Sequence, residues 1–233
     1  MTDRAKEGLL AIWSDVDPDY RVEFQKWHNC EHIRERVAIP GFFVGRRYQG
    51  IGEAPDFLMS YETDDSKVLA SEPYLRAVNH PSSWTKEVIA HSKNIVRGIY
   101  HMVSSVGEKP MTEAPYLVVL KFNADLGSEK EFLQWYREEQ VPGISALQGI
   151  YRSRLYRMDE EISHVKTEER RIHAGGPGQQ MFLAIYEMAS LDIPDSKDWQ
   201  ELHGGAEYAK RTEDVRYESY WLDFVMYAPV NNR

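Results

Sequence analysis

The chain has 233 residues, 42% hydrophobic and 28% charged, with 37 acidic against 28 basic side chains. That length holds one large domain or two of about 100–150 residues, with the apolar content of a folded rather than a disordered protein. A formal charge of -9 argues against a surface built for nucleic acid or anionic lipid, and the single cysteine, Cys30, leaves no intrachain disulfide or cysteine-based zinc site.

No stretch approaches the roughly 18 apolar residues of a membrane span. Residues 1–7 are charged and lack the apolar core of a signal peptide, so a cytoplasmic protein is expected. The elements then follow in order. Residues 9–13 form a short apolar run, read as a buried strand. An amphipathic stretch follows with Phe24, Trp27 and Ile33 near helical spacing, then strands at 42–48 and 57–61, a helix at 67–78 and a strand at 96–103. Residues 107–114 read as a linker. Beyond it the order recurs: a strand at 116–120, a helix at 128–141 with Ser128 as N-cap and Glu131 completing a capping box, and strands at 150–156 and 181–186. A helix at 197–210 and a strand at 220–227 complete the chain. The segment 157–180 is polar, ends in Gly175-Gly176-Pro177-Gly178, and reads as a surface hairpin or loop.

The recurrence is also one of residues. Glu23-Phe24-Gln25-Lys26-Trp27 returns as Glu131-Phe132-Leu133-Gln134-Trp135, and the same offset pairs Leu9 with Leu117, Gly41 with Gly149, Arg46 with Arg154 and Tyr48 with Tyr156. About a quarter of positions match between residues 8 and 48, enough to identify an internal repeat. The offset changes before Tyr61-Glu62, which pairs with Tyr186-Glu187, so 157–180 is an insertion in the second half. The order β-α-β-β-α-β, read twice, predicts an α+β fold of two ferredoxin-like units in tandem, residues 1–107 and 108–233, with their sheets packed face to face.

The chemistry concentrates in Trp27-His28-Asn29-Cys30-Glu31-His32-Ile33-Arg34-Glu35-Arg36, followed by Ile39-Pro40-Gly41-Phe42. His28-x-x-Glu31-His32 has the form of an inverted zinc-protease motif. The chain lacks that family's helical scaffold and offers no defined third ligand, so no metal is expected. Charged residues near a helix end also pair locally without further function. Cys30 is expected to be a buried, inert thiol. No glycine-rich phosphate loop is present.

The string W-H-x-x-E-H-I-x-E-R-x-x-I-P-G-F, continued by Arg46-Arg47-Tyr48, resembles the dimeric α/β-barrel superfamily, and within it the EthD-like and stress-responsive A/B-barrel proteins. Tyr74-Leu75 and Asn79-His80-Pro81-Ser82-Ser83-Trp84 resemble the same group. The resemblance implies a single-chain dimeric α/β barrel, equivalent to a fused homodimer and able to pair again as a homodimer, with a cleft between sheet and helices in each unit. Activities found in such clefts include cofactor-free monooxygenation, isomerisation, cyclisation, decarboxylation and haem chemistry, so the fold does not choose the reaction.

The second half has Tyr136 where His28 stands and Gln140 where His32 stands, which predicts one working cleft, in the first half. His28 and His32 are the candidate acid and base. Glu31 is expected to orient an imidazole, and Tyr48, Tyr61 and Arg47 to hydrogen-bond a substrate oxygen. Trp13, Phe42, Phe57, Tyr74 and Trp84 are candidate aromatic walls, with His80 at the mouth and His101 on the last strand of the unit. His164, His173 and His203 are expected to be solvated. The expected function is cofactor-independent lyase or isomerase chemistry (decarboxylation, deformylation or cyclisation) on a small aromatic or polyketide-like substrate. Two alternatives stand beside it: a cofactor-free monooxygenase of an electron-rich phenol, and a non-catalytic small-molecule binding or stress-response protein. A cleft histidine also leaves haem ligation open.

Overall fold

The computed structural model describes residues 7–124 and 129–230. Eight strands lie among them: β1 (Gly8–Val16), β2 (Phe42–Ile51), β3 (Phe57–Thr63), β4 (Ser92–Gly107), β5 (Tyr116–Ala124), β6 (Ile150–Met158), β7 (Phe182–Met188) and β8 (Thr212–Tyr227). They close into one antiparallel barrel in the order β1-β3-β2-β8-β5-β7-β6-β4. Each ferredoxin-like unit supplies half of it, so the two sheets are facing walls of a single barrel. The last strands run 16 residues each, much longer than the sequence suggests. β4 pairs with β1 of its own unit and β6 of the other, and β8 pairs with β5 and with β2. Those shared strands are what close the barrel.

Local sequence explains most boundaries. Gly41 and Gly149, repeat equivalents, adopt φ of 90° and 86°, the left-handed turn that launches β2 and β6 and that L side chains resist. The helix expected at 67–78 divides into a turn at Ser66–Ala70 and a helix at Glu72–Asn79, because Ser71 caps the latter and Pro73 occupies its first turn. The helix expected at 197–210 breaks at Gly204-Gly205. The proposed cap Ser128 lies outside the described residues.

Alternation along the strands sorts side chains into three cores. Leu9, Ala11, Trp13, Tyr48, Tyr100, Tyr156 and Tyr220 fill the barrel interior. Leu10, Phe42, Met59 and Tyr61 face outward under the first unit's helices. Val118, Leu120, Phe182 and Tyr186 do the same in the second. The interior also holds charge. Glu62 accepts from Arg46 (2.8 Å) and Arg154 (2.7 Å), while Glu187 accepts from Arg154 (2.9 Å) and Arg152 (2.7 Å). Arg46 and Arg154 are repeat equivalents, as are Glu62 and Glu187, so the cluster straddles the internal pseudo-twofold. Arg46 also donates to Glu113 at 2.7 Å. The arginine is therefore neutralised inside the barrel and adds no positive charge to the cleft.

Candidate active site

The first unit's cleft lies between the outward faces of β1, β3 and β4 and a continuous helix over residues 21–37. That helix is α-helical at Arg21–Trp27, widens into a π turn at His28–His32, and resumes at Ile33–Val37. The Ile33 N–H reaches back five residues to the His28 carbonyl, the bulge geometry that recurs at functional sites. The second unit repeats it at Tyr136–Gln140. The π turn brings the His28 and His32 rings to 5.9 Å centroid to centroid.

His28 is fully buried, with Nε2 3.0 Å from the Tyr61 hydroxyl. Tyr61 rises from β3 and lies flat over β2 at Gly45. A Cβ there would stand 2.8 Å from the Tyr61 ring and 2.7 Å from Ile33, so only glycine admits the ring in this position. His32 packs on Trp27 at 4.3 Å. Nδ1 of both histidines is buried without a hydrogen-bond partner among the described residues. Burial, reinforced by Arg47 and Arg36, holds the His28 imidazole well below its ordinary value; burial, Arg36 and His28 do the same to His32. Burial pushes the Tyr61 phenol up. At neutral pH the pair is thus a neutral imidazole beside a protonated phenol, able to accept one proton and donate a hydrogen bond to a developing oxyanion.

The cavity beside this pair has a volume of about 50 Å³. Phe24, Trp27, Tyr61 and Tyr74 wall it, with the cations Arg36 and Arg97 and the carboxylate Glu169 at its edge. Arg97 donates to the Tyr74 hydroxyl at 2.8 Å, and Arg36 pairs with Glu169.

Glu169 comes from the insertion, and here the sequence expectation is corrected. Rather than a solvated loop, the segment forms helices at Glu160–Ser163 and Glu168–His173 that close over the first unit's cleft, placing Thr167, Glu169 and His173 in its lining. Arg97 N–H to the Gly176 carbonyl (2.8 Å), Glu168 N–H to Asn79 Oδ1 (3.0 Å) and Ser163 bonds to the Ile99 backbone (2.9 and 3.1 Å) fasten it. A signal was present in the sequence: Thr167 caps a turn that sets Glu169 and His173 four residues apart on one helical face.

Of the residues singled out from sequence, the structure brings His28, His32, Tyr61 and Tyr74 together on the cavity. Phe42 and Phe57 form a second layer, stacked on Tyr74 and Phe24 respectively. Arg47 lies behind His28, paired with Asp223 (2.7 Å) and Asn29 (2.8 Å). Tyr48 and Trp13 point into the barrel instead, on the opposite face of the sheet from the cleft. Glu31 faces away from both imidazoles and accepts from Ser82 (2.5 Å) and Thr85 (3.0 Å); Thr85 in turn accepts from the Trp27 indole at 3.1 Å. It therefore orients Trp27 rather than a histidine ring. Trp84 bonds Glu23 at 3.0 Å, His80 is exposed and bonded to the Arg76 carbonyl, and His101 sits half-buried between Gly8 and Arg157, outside the cavity lining. Cys30 is exposed rather than buried.

The second unit holds a correction too. His203 Nε2 lies 2.9 Å from the hydroxyl of Tyr186, the repeat equivalent of Tyr61, and its ring stacks on Trp199 at 4.0 Å. A histidine–tyrosine pair thus exists in both halves, with the histidine supplied by a different helix. His203 and His173 are half-buried rather than fully solvated. Burial, with Arg97 next, pushes His173 down to about 4, and burial pushes His203 down to about 4. Both titrate near 6.5 when unfolded, so between those values the unfolded chain takes up protons that the folded chain refuses. Stability is full above about pH 6.5 and falls as the pH drops toward 4, by up to about 1.4 kcal/mol per pH unit for each histidine. Urea midpoints at pH 7, 5.5 and 4.5 should decline in that order, and His173→Gln should flatten the slope.

In this closed form the cleft has room for neither a haem nor an aromatic substrate. A cavity of about 50 Å³ is a third of the roughly 150 Å³ that admits a benzene ring, and the His28 Nε2 is already engaged by Tyr61. Among the described residues no group of three or more His, Cys, Asp or Glu is arranged to hold a metal ion, and no helix is long and apolar enough to cross a membrane.

No family model matches the sequence, and no curated protein is similar to it in sequence. Solved structures do match in fold. An anthrone oxidase-like protein superposes with a TM-score of 0.64 at 11% identity, over 98% of this chain and 96% of that one. A protein from Lactobacillus acidophilus NCFM, provisionally described as a monooxygenase, matches with a TM-score of 0.59 at 9% identity over 95% and 97%. A mutant chlorite dismutase from Candidatus Nitrospira defluvii gives 0.61 at 11% identity over 95% and 96%. At such identities the likeness is one of fold: this chain shares with them two ferredoxin-like units closed into a single α/β barrel.

Proposed function

We propose that the first unit's cleft catalyses cofactor-free oxygenation of a small, electron-rich phenol. The observation that carries this reading is the buried His28–Tyr61 pair, neutral in both members, lining an aromatic cavity, with the unpartnered Nδ1 of His28 as the available base. Neutral His28 takes a proton from the substrate, and the Tyr61 hydroxyl stabilises the resulting anion. The anion gives one electron to O2, the two radicals combine as a peroxide that takes the proton back from His28, and the hydroperoxide loses its OH with the remaining hydrogen on that carbon as water, leaving a carbonyl. One CH2 and one O2 become one C=O and one H2O, the substrate being the only reductant.

The fold-level likeness to an anthrone oxidase-like protein and to a protein described as a monooxygenase supports oxygenation over lyase or isomerase chemistry, which would use the same proton transfer without O2. The EthD-like resemblance of the Trp27–Phe42 string belongs to the same reading. The test is a panel of phenols and anthrone-type ketones incubated with the protein in an oxygen electrode cell, with products resolved by mass. Uptake of one O2 per product is the expected result. Turnover that proceeds equally under argon would replace oxygenation with lyase or isomerase chemistry, and ligand binding without turnover would leave a binding protein.

A further inference from the structure

Three features of the cleft converge on a ligand class. The cavity is too small as it stands for an aromatic ring, so a ring enters only if part of its lining moves, and the covering segment 159–176 is the part that comes from the other unit. At the cavity edge that segment contributes one carboxylate, Glu169, whose side chain is 14% exposed and is seated on the guanidinium of Arg36, itself 2% exposed. Arg36 and Arg97 lie on the Tyr74 ring at 5.9 and 6.0 Å, so two cations converge where only one cavity-lining anion answers them. Glu35, the other partner of Arg36 at 3.1 Å, is 42% exposed and stands outside the lining.

We propose that the substrate is an aromatic carboxylate whose carboxylate replaces that of Glu169 on Arg36, releasing the segment 159–176 as it binds. Glu169 occupies the substrate's anionic subsite in the closed form, so Arg36 keeps a carboxylate on Nη2 without ligand. A neutral aromatic makes the exchange poorly, since expelling Glu169 would leave the buried Arg36 with only the half-exposed Glu35, on its other nitrogen, to answer its charge. Arg36 suits the exchange because its Nη2, which Glu169 holds, makes a charge-assisted bond to a carboxylate placed there. Specificity then comes from the second unit, through a residue of the insertion, although the reacting groups belong to the first.

This inference takes its cleft from the function proposed above, but its test needs no turnover. The probes are 2-naphthoate and its neutral isostere 2-naphthamide, titrated by calorimetry into wild type, Glu169→Gln and the double variant Glu169→Gln/Arg36→Gln, which removes the buried pair together and so leaves no lone buried charge. Wild type should prefer naphthoate to naphthamide. Glu169→Gln, lacking the internal competitor, should bind naphthoate at least 10-fold more tightly with naphthamide unchanged. The double variant should lose the preference, and hydrogen exchange of residues 159–176 should rise when naphthoate binds wild type. Equal affinity for acid and amide in all three proteins, no gain in Glu169→Gln, an undiminished preference in the double variant, or no binding of either probe would each overturn the proposal. Discrimination for naphthoate in a protein that consumes no O2 would sink the oxygenase reading alone; O2 uptake without discrimination would sink this one alone.

Discussion

Removing the carboxylate of Glu62 by Glu62→Ala should destabilise the fold by about 3–5 kcal/mol, the cost of breaking a buried ion pair from one side. Both Arg46 and Arg154 donate to this carboxylate, which is 2% exposed, and Arg152 stands 3.7 Å away. With it gone, two guanidiniums would remain in the barrel with only Glu187 and Glu113 to answer them. Urea unfolding at pH 7 measures the loss; one below about 1 kcal/mol would show that water or rearranged neighbours replace the carboxylate. A triple replacement of Glu62, Arg46 and Arg154 by apolar residues of similar volume should recover much of the loss, because the attraction among buried ions largely offsets their desolvation. The same group carries an acid limit. Burial alone would raise its carboxyl, but Arg46, Arg154 and Arg152 hold it well below the usual carboxylate range. Its contribution is therefore complete above about pH 4.3, the unfolded value, and is lost only as the pH falls through the lower folded value.

The second large effect is catalytic. His28→Gln should lower kcat by about 10²–10⁴, the range expected for loss of a positioned general base. Tyr61→Phe keeps the ring over Gly45 and removes only the hydroxyl that lies 3.0 Å from His28. It should cost about 10²–10³ in kcat, as for other oxyanion donors, with a much smaller change in unfolding midpoint. That separation matters, since a purely structural role for the pair would move stability and turnover together. Normal turnover by His28→Gln would transfer the role of base to His32.

The repeat made the architecture legible, because Glu23–Trp27 and Glu131–Trp135 are strong copies and the strand–helix order around them matches. The helix carrying His28 and His32 was legible for the same reason. Which face of each strand meets the cleft was not. Both sides of a barrel strand under helices are buried, and β3 is buried at every position, so the hydrophobic alternation that reveals an inward face is missing. Tyr48 and Tyr61 look alike in sequence, yet one fills the barrel and the other meets His28. The place of the insertion is hidden for a related reason: its polarity is that of surface, and Glu169 is drawn into the cleft by Arg36, more than a hundred residues earlier. His203 was missed because repeat alignment looks for a histidine at the same position, whereas the second half places its ring beside Tyr186 from another helix.

Fusion of the two units also removes a constraint that a symmetric pair cannot escape. In a homodimer related by a twofold axis, any segment that reaches from one subunit over its partner's cleft must be matched by an identical segment reaching back. Here β6 and β7 are joined through the covering segment, while β2 and β3, their counterparts, are joined by the short turn at residues 52–56. The chain can thus cover one cleft with material from the other half and leave the second cleft to evolve without that cover. Selection on one polypeptide can fit Glu169 to Arg36 without also fitting it to Ile144, the residue at the equivalent position in the other half. A single chain with two unequal clefts can divide labour between them, which two identical subunits cannot.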